Sequence, residues 1–231
     1  CSSLKEITIP AFVEQIEKSA FEKCSSLTAI KFENHSSLTK IGESSFANCS
    51  SLASVQIPSS LTSIESLAFD QCTSLKQVTF EPNSSLLIIE NGAFNKCSSL
   101  EKLILPSSIS NVYFGSFFDC KSLKEITLSP SMHTIKSSSF EGCSSLAQIS
   151  IPLNIDEIEN RAFANRTLLK EIDIPSYITT INPECFSNCL SLTRITLPSS
   201  VKTISRKAFS GCQSLTTIEI PNSVIVIEEY A

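Results

Sequence analysis

Ten cysteines are the residues of this 231-residue chain that could do the most chemistry. Nine of them recur every 23 or 25 residues, and Arg166 completes the series: Cys1, Cys24, Cys49, Cys72, Cys97, Cys120, Cys143, Cys189 and Cys212. In stacked coils, equivalent residues would lie about 5 Å apart, which is within the Cα range of disulfides. Parallel side chains at that spacing nevertheless hold their Cβ atoms farther apart than the preferred ~3.8 Å. We expect reduced, buried thiols, with inter-coil disulfides and metal binding as the alternatives.

Partners for catalysis or metal binding do not accompany these cysteines. The chain has no C-x-x-C pair, and a straight column of thiols lacks the convergent geometry that zinc requires. Cys185 stands off the column, but a nucleophilic cysteine needs a histidine, and His35 and His133 lie in distant repeats. Five glycines form no phosphate loop, and the acidic residues do not pair at a recurrent inward position. We expect no enzyme activity, no cofactor and no metal.

Composition and charge exclude further classes. The net charge is −5 and the basic residues are scattered, so the chain lacks the basic stripe that nucleic acids require. No apolar run reaches the ~18 residues of a membrane span. The chain begins without an initiator Met or a signal peptide, so we expect a fragment of a longer protein. Four glycosylation sequons, at Asn34, Asn48, Asn83 and Asn165, barely exceed chance and do not argue for secretion.

A repeat extends over the whole chain. A phenylalanine lies three residues before each marker after the first: Phe21, Phe46, Phe69, Phe94, Phe117, Phe140, Phe163, Phe186 and Phe209. Leucine lies three residues after each marker, and Ile, Val or Leu six after, as at Ile7 and Val55. A fixed period of this length indicates a solenoid. We expect a single repeat domain over residues 1–231, with nine complete repeats and a truncated tenth after which the array continues.

The repeat also predicts its own elements. The stretch L-x-x-I-x-I alternates, so we expect a strand with its aliphatic side chains pointing inward and a proline that ends it. The A-F-x-x-C segment predicts a helical or 3₁₀ turn that buries its phenylalanine. Two repeats carry two extra residues, at 32–38 and 80–86, where Phe32 and Phe80 replace an aliphatic residue and predict a widened turn.

The opening C-x-x-L-x-x-I-x-I-P and the closing A-F-x-x-C resemble the BspA-type leucine-rich repeat family over the whole chain. The resemblance implies an α/β fold, a right-handed solenoid with a parallel sheet on one face and short helical or 3₁₀ turns and loops on the other. It also implies a protein at the cell surface or secreted, in some members adhesive to host cells or matrix, with no catalytic residues to transfer. Arg166 and Leu168 depart from the pattern and predict altered packing in their coil.

Outward-facing strand residues are the candidates for specificity. The central ones form two adjacent columns, and we expect a binding site among them: Lys102, Ile104, Glu125, Thr127, Gln148, Ser150, Glu171, Asp173 and Arg194. Rigid arrays of this kind bind along such a face through many weak contacts. The leading interpretation is a non-catalytic recognition or adhesion module for a host protein or glycan. The competing one is a spacer that presents another domain, and a uniformly polar face would favour it.

One repeat places aromatic residues at positions that are polar elsewhere. In "VYFGSFFDC", Tyr113, Phe114 and Phe118 stand where other repeats mostly carry charged or small residues. If the segment is helical, Phe114 and Phe118 share a face and form an apolar patch with Tyr113. The patch either folds back over a local gap beside Gly115 or anchors a partner or a second copy of the chain.

Overall fold

The computed structural model describes all residues, 1–231, as a solenoid of stacked coils with short parallel strands and no helix. Each coil begins at a marker residue, so coil 1 is 1–23, coil 7 is 143–165, coil 8 is 166–188 and coil 10 is 212–231. The first strand of the coils forms the first sheet, which has two parts that are not hydrogen-bonded to each other. The six-stranded part consists of β1 (Glu6–Ile9), β3 (Ala29–Phe32), β5 (Ser54–Ile57), β7 (Gln77–Phe80), β9 (Lys102–Ile104) and β11 (Glu125–Thr127), and the two-stranded part of β14 (Glu171–Asp173) and β16 (Arg194–Thr196).

A second, shorter strand in each coil forms a second row of pairs. Its members are β2 (Gln15–Ile16), β4 (Lys40–Ile41), β6 (Ser63–Ile64), β8 (Ile88–Ile89), β10 (Asn111–Val112), β12 (Thr134–Ile135), β13 (Glu157–Ile158), β15 (Thr180–Ile181), β17 (Thr203–Ile204) and β18 (Val226–Ile227). Equivalent positions of neighbouring repeats face each other, as in Ile7↔Ile30 and Ile41↔Ile64. The sequence period therefore sets the register of both rows.

The core is a set of ladders that run the length of the solenoid. The nine repeat phenylalanines stack with ring centroids 5.2 to 5.9 Å apart and planes within 16° of parallel. Phe46 through Phe186 are fully buried, whereas Phe21 and Phe209 at the two ends are half-buried. In β5 the burial alternates strictly, with Val55 and Ile57 inside. The predicted burial is confirmed for most ladder residues, and the exceptions include the half-buried Ile7 and Ile218 in the end coils and Ile149 in coil 7.

The predicted helical or 3₁₀ turns around each phenylalanine are wrong. In these turns backbone donors alternate in direction: the N–H of Cys49 donates to the carbonyl of Phe46 in the same turn, whereas the N–H of Phe46 itself donates to the carbonyl of Ala68 in the next coil. Ser44 and Asn48 take left-handed φ values of 54° and 61° to make this possible. A helix would direct every donor within its own segment, so neighbouring coils would lose their hydrogen bonds along this edge.

In both longer repeats, the first strand pairs with the strand of the following coil at a single position. β5 pairs with β7 over four residues, but β3 pairs with β5 only at Ala29↔Ser54. Likewise, β7 pairs with β9 only at Gln77↔Lys102. Phe32 and Phe80, at the ends of the two strands that precede these points, are half-buried. The widened turns therefore separate adjacent strands at their carboxyl ends.

Candidate functional site

The cysteine column forms a ladder of thiol hydrogen bonds. The Cys72 Sγ donates to the carbonyl of Phe46 at 3.2 Å, and six other column cysteines make the same bond: Cys49, Cys97, Cys120, Cys143, Cys189 and Cys212. All ten cysteines are free. Burial raises the pKa of the Cys49 and Cys143 thiols to about 12. These sulfurs are neutral at physiological pH, and the ladder binds coils to one another rather than a substrate.

Cys185 also lacks the surroundings of a nucleophile. It is buried in coil 8, and burial raises the pKa of its thiol. His35 and His133 are exposed and lie in coils 2 and 6, neither of which adjoins coil 8. No group of three or more His, Cys, Asp or Glu side chains is placed to hold a metal ion. The structure therefore assembles neither a thiol catalyst nor a metal centre from the residues that the sequence singled out.

The outward strand residues form columns on the first sheet, as their spacing predicts. Several form ion pairs between coils. The Lys102 Nζ lies 2.5 Å from a carboxylate oxygen of Glu125, and guanidinium nitrogens of Arg194 lie 3.0 Å from a carboxylate oxygen of Glu171 and 3.1 Å from one of Asp173. A hydrogen bond from Lys102 lowers the pKa of Glu125. These inter-coil pairs neutralise most of the charge on this face.

A cavity of about 810 Å³ opens on this face between coils 4 and 5, where β7 and β9 stop pairing. We call it the Phe80 cavity, and its lining includes Gln77, Thr79, Phe80, Asn83, Lys102 and Ile104. Ile104 is 57% exposed. Sequence reasoning identified Lys102 and Ile104 but missed Phe80 and Asn83. The two-residue insertion at 80–86 was the signal that could have located them.

A second cavity, of about 440 Å³, lies between β11 and β14. It brings together seven of the outward residues that the sequence selected: Glu125, Thr127, Gln148, Ser150, Glu171, Asp173 and Arg194. Coil 7 contributes no strand here, since residues 147–151 do not pair with the strands of the first sheet. The nine strand candidates thus divide between two separate cavities on one face.

The three aromatic candidates lie away from these cavities. Tyr113 and Phe114 are exposed and Phe118 is half-buried. The helical premise for their shared face is wrong, since the segment consists of turns with Gly115 at a φ of 58°. A Cβ placed at Gly115 would lie 3.7 Å from the Cβ of Phe118, so the two positions adjoin in the turn, where Phe118 is half-buried and Phe114 is exposed.

Solved structures of bacterial proteins resemble this solenoid. The pneumococcal vaccine antigen PcpA matches with a TM-score of 0.67 and 26% identity over 97% of this chain, which spans 58% of that antigen. A leucine-rich repeat protein of T. pallidum matches with a TM-score of 0.64 and 26% identity, over 71% of this chain and 77% of its own. One from Bacteroides ovatus shares the fold, with a TM-score of 0.65, 23% identity, and coverage of 99% of this chain and 76% of its own. No curated protein matches the sequence.

The repeat pattern itself identifies the family. The structure contains no helix that could cross a membrane. The sequence profile described as the BspA type leucine rich repeat region matches in six copies, over residues 1–112, 80–193 and 179–231. Those ranges contain every strand and every phenylalanine of the stack. The chain therefore belongs to the BspA-type leucine-rich repeat family.

Proposed function

We propose that this chain is a non-catalytic recognition module that binds a protein or a glycan of a host cell or matrix. Its binding face is the outward face of the first sheet. The observation that carries the proposal is the Phe80 cavity, an opening of about 810 Å³ in the sheet face. Binding sites are concave and combine apolar surface with a few well-placed polar groups.

The lining of the Phe80 cavity has that combination. Phe80 and Ile104 supply apolar surface, while Gln77, Thr79 and Asn83 supply neutral donors and acceptors. The Lys102 Nζ is already paired with Glu125. The half-buried Phe80 and the exposed Ile104 give this part of the face an apolar surface that a uniformly polar spacer would lack.

The neighbours support a location at the cell surface or outside the cell. The pneumococcal relative is described as a vaccine antigen, and an antigen that antibodies reach is exposed on its cell. This chain spans 58% of that protein, so the proposal concerns the repeat array alone. A solenoid that displays its sheet to the surroundings is suited to adhesion, because it offers a wide rigid surface for many weak contacts.

One observation favours the spacer alternative. Charged side chains on the sheet face form ion pairs with side chains of the neighbouring coil, as in the pairs Lys31–Glu6 and Arg194–Glu171. Such pairs hold neighbouring coils in register and leave few free charges for a partner. The spacer alternative differs from recognition in one measurable way, since it requires no ligand for this face.

Binding of the 231-residue chain to a glycan array, to immobilised matrix proteins and to epithelial cells tests the proposal. We expect one of these to bind, and Ile104→Glu to weaken that binding by about tenfold or more, because a charge replaces apolar contact in the cavity. Thr8→Glu, an exposed change on the same face but far from the cavity, is the matched control. Absence of binding in all three assays would favour the spacer, and equal binding by Ile104→Glu and the native chain would show that the ligand does not use the Phe80 cavity.

A further inference from the structure

The first sheet is interrupted at coil 7. The backbone N–H groups of residues 147–151 donate no hydrogen bond to another backbone group. Only one ladder bond reaches this stretch from coil 8, from the Lys170 N–H to the Ala147 carbonyl at 3.4 Å, whereas the equivalent bond from Thr193 to Lys170 measures 2.8 Å. Ile149 and Ile151 are half-buried, unlike their counterparts Ile172 and Ile174 in coil 8. Coil 7 is therefore held loosely on this face.

The second row is also interrupted between coils 7 and 8, as it is between β10 and β12 of coils 5 and 6. β13 pairs with β12, and β15 pairs with β17, but β13 and β15 do not pair with each other. In the ladder, the side-chain amide of Asn182 donates to the Ile158 carbonyl at 2.7 Å, where most coils use a backbone N–H, such as that of Ser205 to Ile181. A cavity of about 320 Å³ lies here, with Asp156 among its lining residues.

The phenylalanine edge, in contrast, is continuous across this boundary. The Phe163 N–H donates to the Cys185 carbonyl at 3.0 Å, and the Asn165 N–H donates to the Ser187 carbonyl at 2.8 Å. The rings of Phe163 and Phe186 remain stacked at 5.5 Å, with a tilt of 16° that is the largest in the ladder. Coils 7 and 8 are thus joined firmly along one edge and weakly along two.

Arg166 occupies the cysteine position at the start of coil 8. It is fully buried, its Nη2 donates to the Leu146 carbonyl at 2.6 Å, and its Nε and Nη1 have no partner. Its guanidinium lies 5.3 Å from the centre of the Phe163 ring. Elsewhere the column uses the much shorter cysteine, so a long side chain here requires more room between coils. The hydrogen bond from Arg166 fixes the carbonyl of Leu146, the residue directly before the unpaired stretch 147–151.

We propose that the boundary between coils 7 and 8 is a hinge, held open by the length of Arg166, about which coils 8–10 pivot on the phenylalanine edge. The second cavity has walls from both sides of the boundary, with Gln148 in coil 7 and Glu171 in coil 8. Its width changes as the hinge moves. A ligand that bridges the two walls would select one hinge angle, because binding shifts a conformational equilibrium toward the state with the better contacts. The hinge does not depend on the proposed recognition function.

Hydrogen exchange followed by mass spectrometry tests the loose pairing. We expect the amides of 147–151 to exchange at least about tenfold faster than those of β5, which pairs with β7 along its whole length. Arg166→Cys, which restores the repeat residue, should slow exchange at 147–151 toward the β5 rate. Cys97→Ser, a change in the same column far from the boundary, should leave it unaltered. Arg166→Met keeps most of the length without the charge and should keep exchange fast.

Distance measurements distinguish a hinge from local fraying of one strand. Spin labels on noncanonical residues at Lys121 and Lys202, both exposed and on opposite sides of the boundary, report the angle. Labels at Lys5 and Lys76 provide the control within coils 1–4. We expect a broader distance distribution across the boundary than in the control, and narrowing in Arg166→Cys. Equal widths for the two pairs, slow exchange at 147–151, or closure by Arg166→Met would overturn the proposal.

Discussion

In the cysteine column, a side chain that is chemically reactive when exposed has a structural role. A column thiol is small enough to fit between coils, and seven of them donate to a phenylalanine carbonyl, as Cys97 does to Phe69 at 3.2 Å. That carbonyl belongs to the edge where phenylalanine rings stack, so sulfur and ring ladders stabilise the same turn. Burial raises the pKa of the thiols of Cys72, Cys97 and Cys120, which keeps them protonated.

Thiol labelling tests this use of cysteine. In the native chain without reductant, we expect Cys1, which is exposed, and Cys212, which is partly exposed, to react with a thiol reagent, while the eight buried cysteines stay unlabelled. The reason is that the thiolate is the reactive form, and burial both suppresses it and blocks access. After unfolding in denaturant, all ten cysteines should react. A deficit of thiols in the unfolded, unreduced sample would reveal inter-coil disulfides.

At the scale of elements, a glutamate links the turn of one coil to the next. Glu159 accepts hydrogen bonds from the backbone N–H and the hydroxyl of Ser137, each at 2.9 Å, and from Lys136 at 2.7 Å. Glu65, Glu90 and Glu228 each accept a hydrogen bond from a backbone N–H of the preceding coil in the same way. Tyr113 stands at this position in coil 5, where it offers no carboxylate. The aromatic repeat therefore lacks this bond, as does coil 6, where the position is Lys136.

Glu159→Gln should lower the free energy of unfolding by about 1 kcal/mol at pH 7, since a charge-assisted acceptor becomes a neutral one. Burial alone would raise the pKa of Glu159, but the hydrogen bonds from Lys136 and Ser137 outweigh it and hold that pKa below 4.5. A lowered carboxyl pKa stabilises the fold above the unfolded value and loses its effect as pH falls through the folded value. Denaturant unfolding at several pH values should therefore show the difference shrinking below about pH 4.

The control for Glu159 is Glu101→Gln. Glu101 pairs with Lys124 at 3.3 Å, but both side chains are exposed, and such pairs contribute little. A loss for Glu101→Gln as large as that for Glu159→Gln, or a Glu159→Gln effect that persists unchanged at pH 3, would contradict the assigned role.

At the scale of the whole molecule, the solenoid buries its ladders and exposes a set of large apolar side chains that includes Phe12, Leu153 and Phe114. Phe114 projects from the turn side with 57% of its surface exposed, and Tyr113 lies beside it in the chain. Neither ring stacks on another aromatic side chain. Aromatic residues placed in this way often anchor interfaces, so self-association or partner binding through this patch remains a prediction.

Replacing Phe114 and Phe118 together with Ser should reduce self-association in sedimentation experiments, or binding where a ligand is found. Phe114→Ser alone should change the melting temperature little, because the ring is exposed. Phe118→Ser alone should lower it modestly, because that ring is half-buried beside Gly115. A large loss of stability for Phe114→Ser with unchanged association would show that the patch serves packing within the chain.

The period of the sequence determined much of this molecule in advance. Spacings of 23 and 25 residues, alternating aliphatic residues and an invariant phenylalanine predict the strands, the register between coils, the buried ladders and the family. These features follow from the residue types. An apolar side chain such as Val55 or Phe69 turns toward the interior of the solenoid because burial removes it from water, and this does not depend on the details of the neighbouring coils.

The tertiary structure decided the features that depend on a partner in a neighbouring coil. The turns around each phenylalanine are not helical because donors such as the Phe46 N–H find their acceptor in the following coil. The Phe80 cavity and the interruption at 147–151 arise where strands part, beside an insertion and beside Arg166. Local propensity cannot predict these features, because a hydrogen bond to residues more than twenty positions away outweighs the conformational preference of a few turn residues.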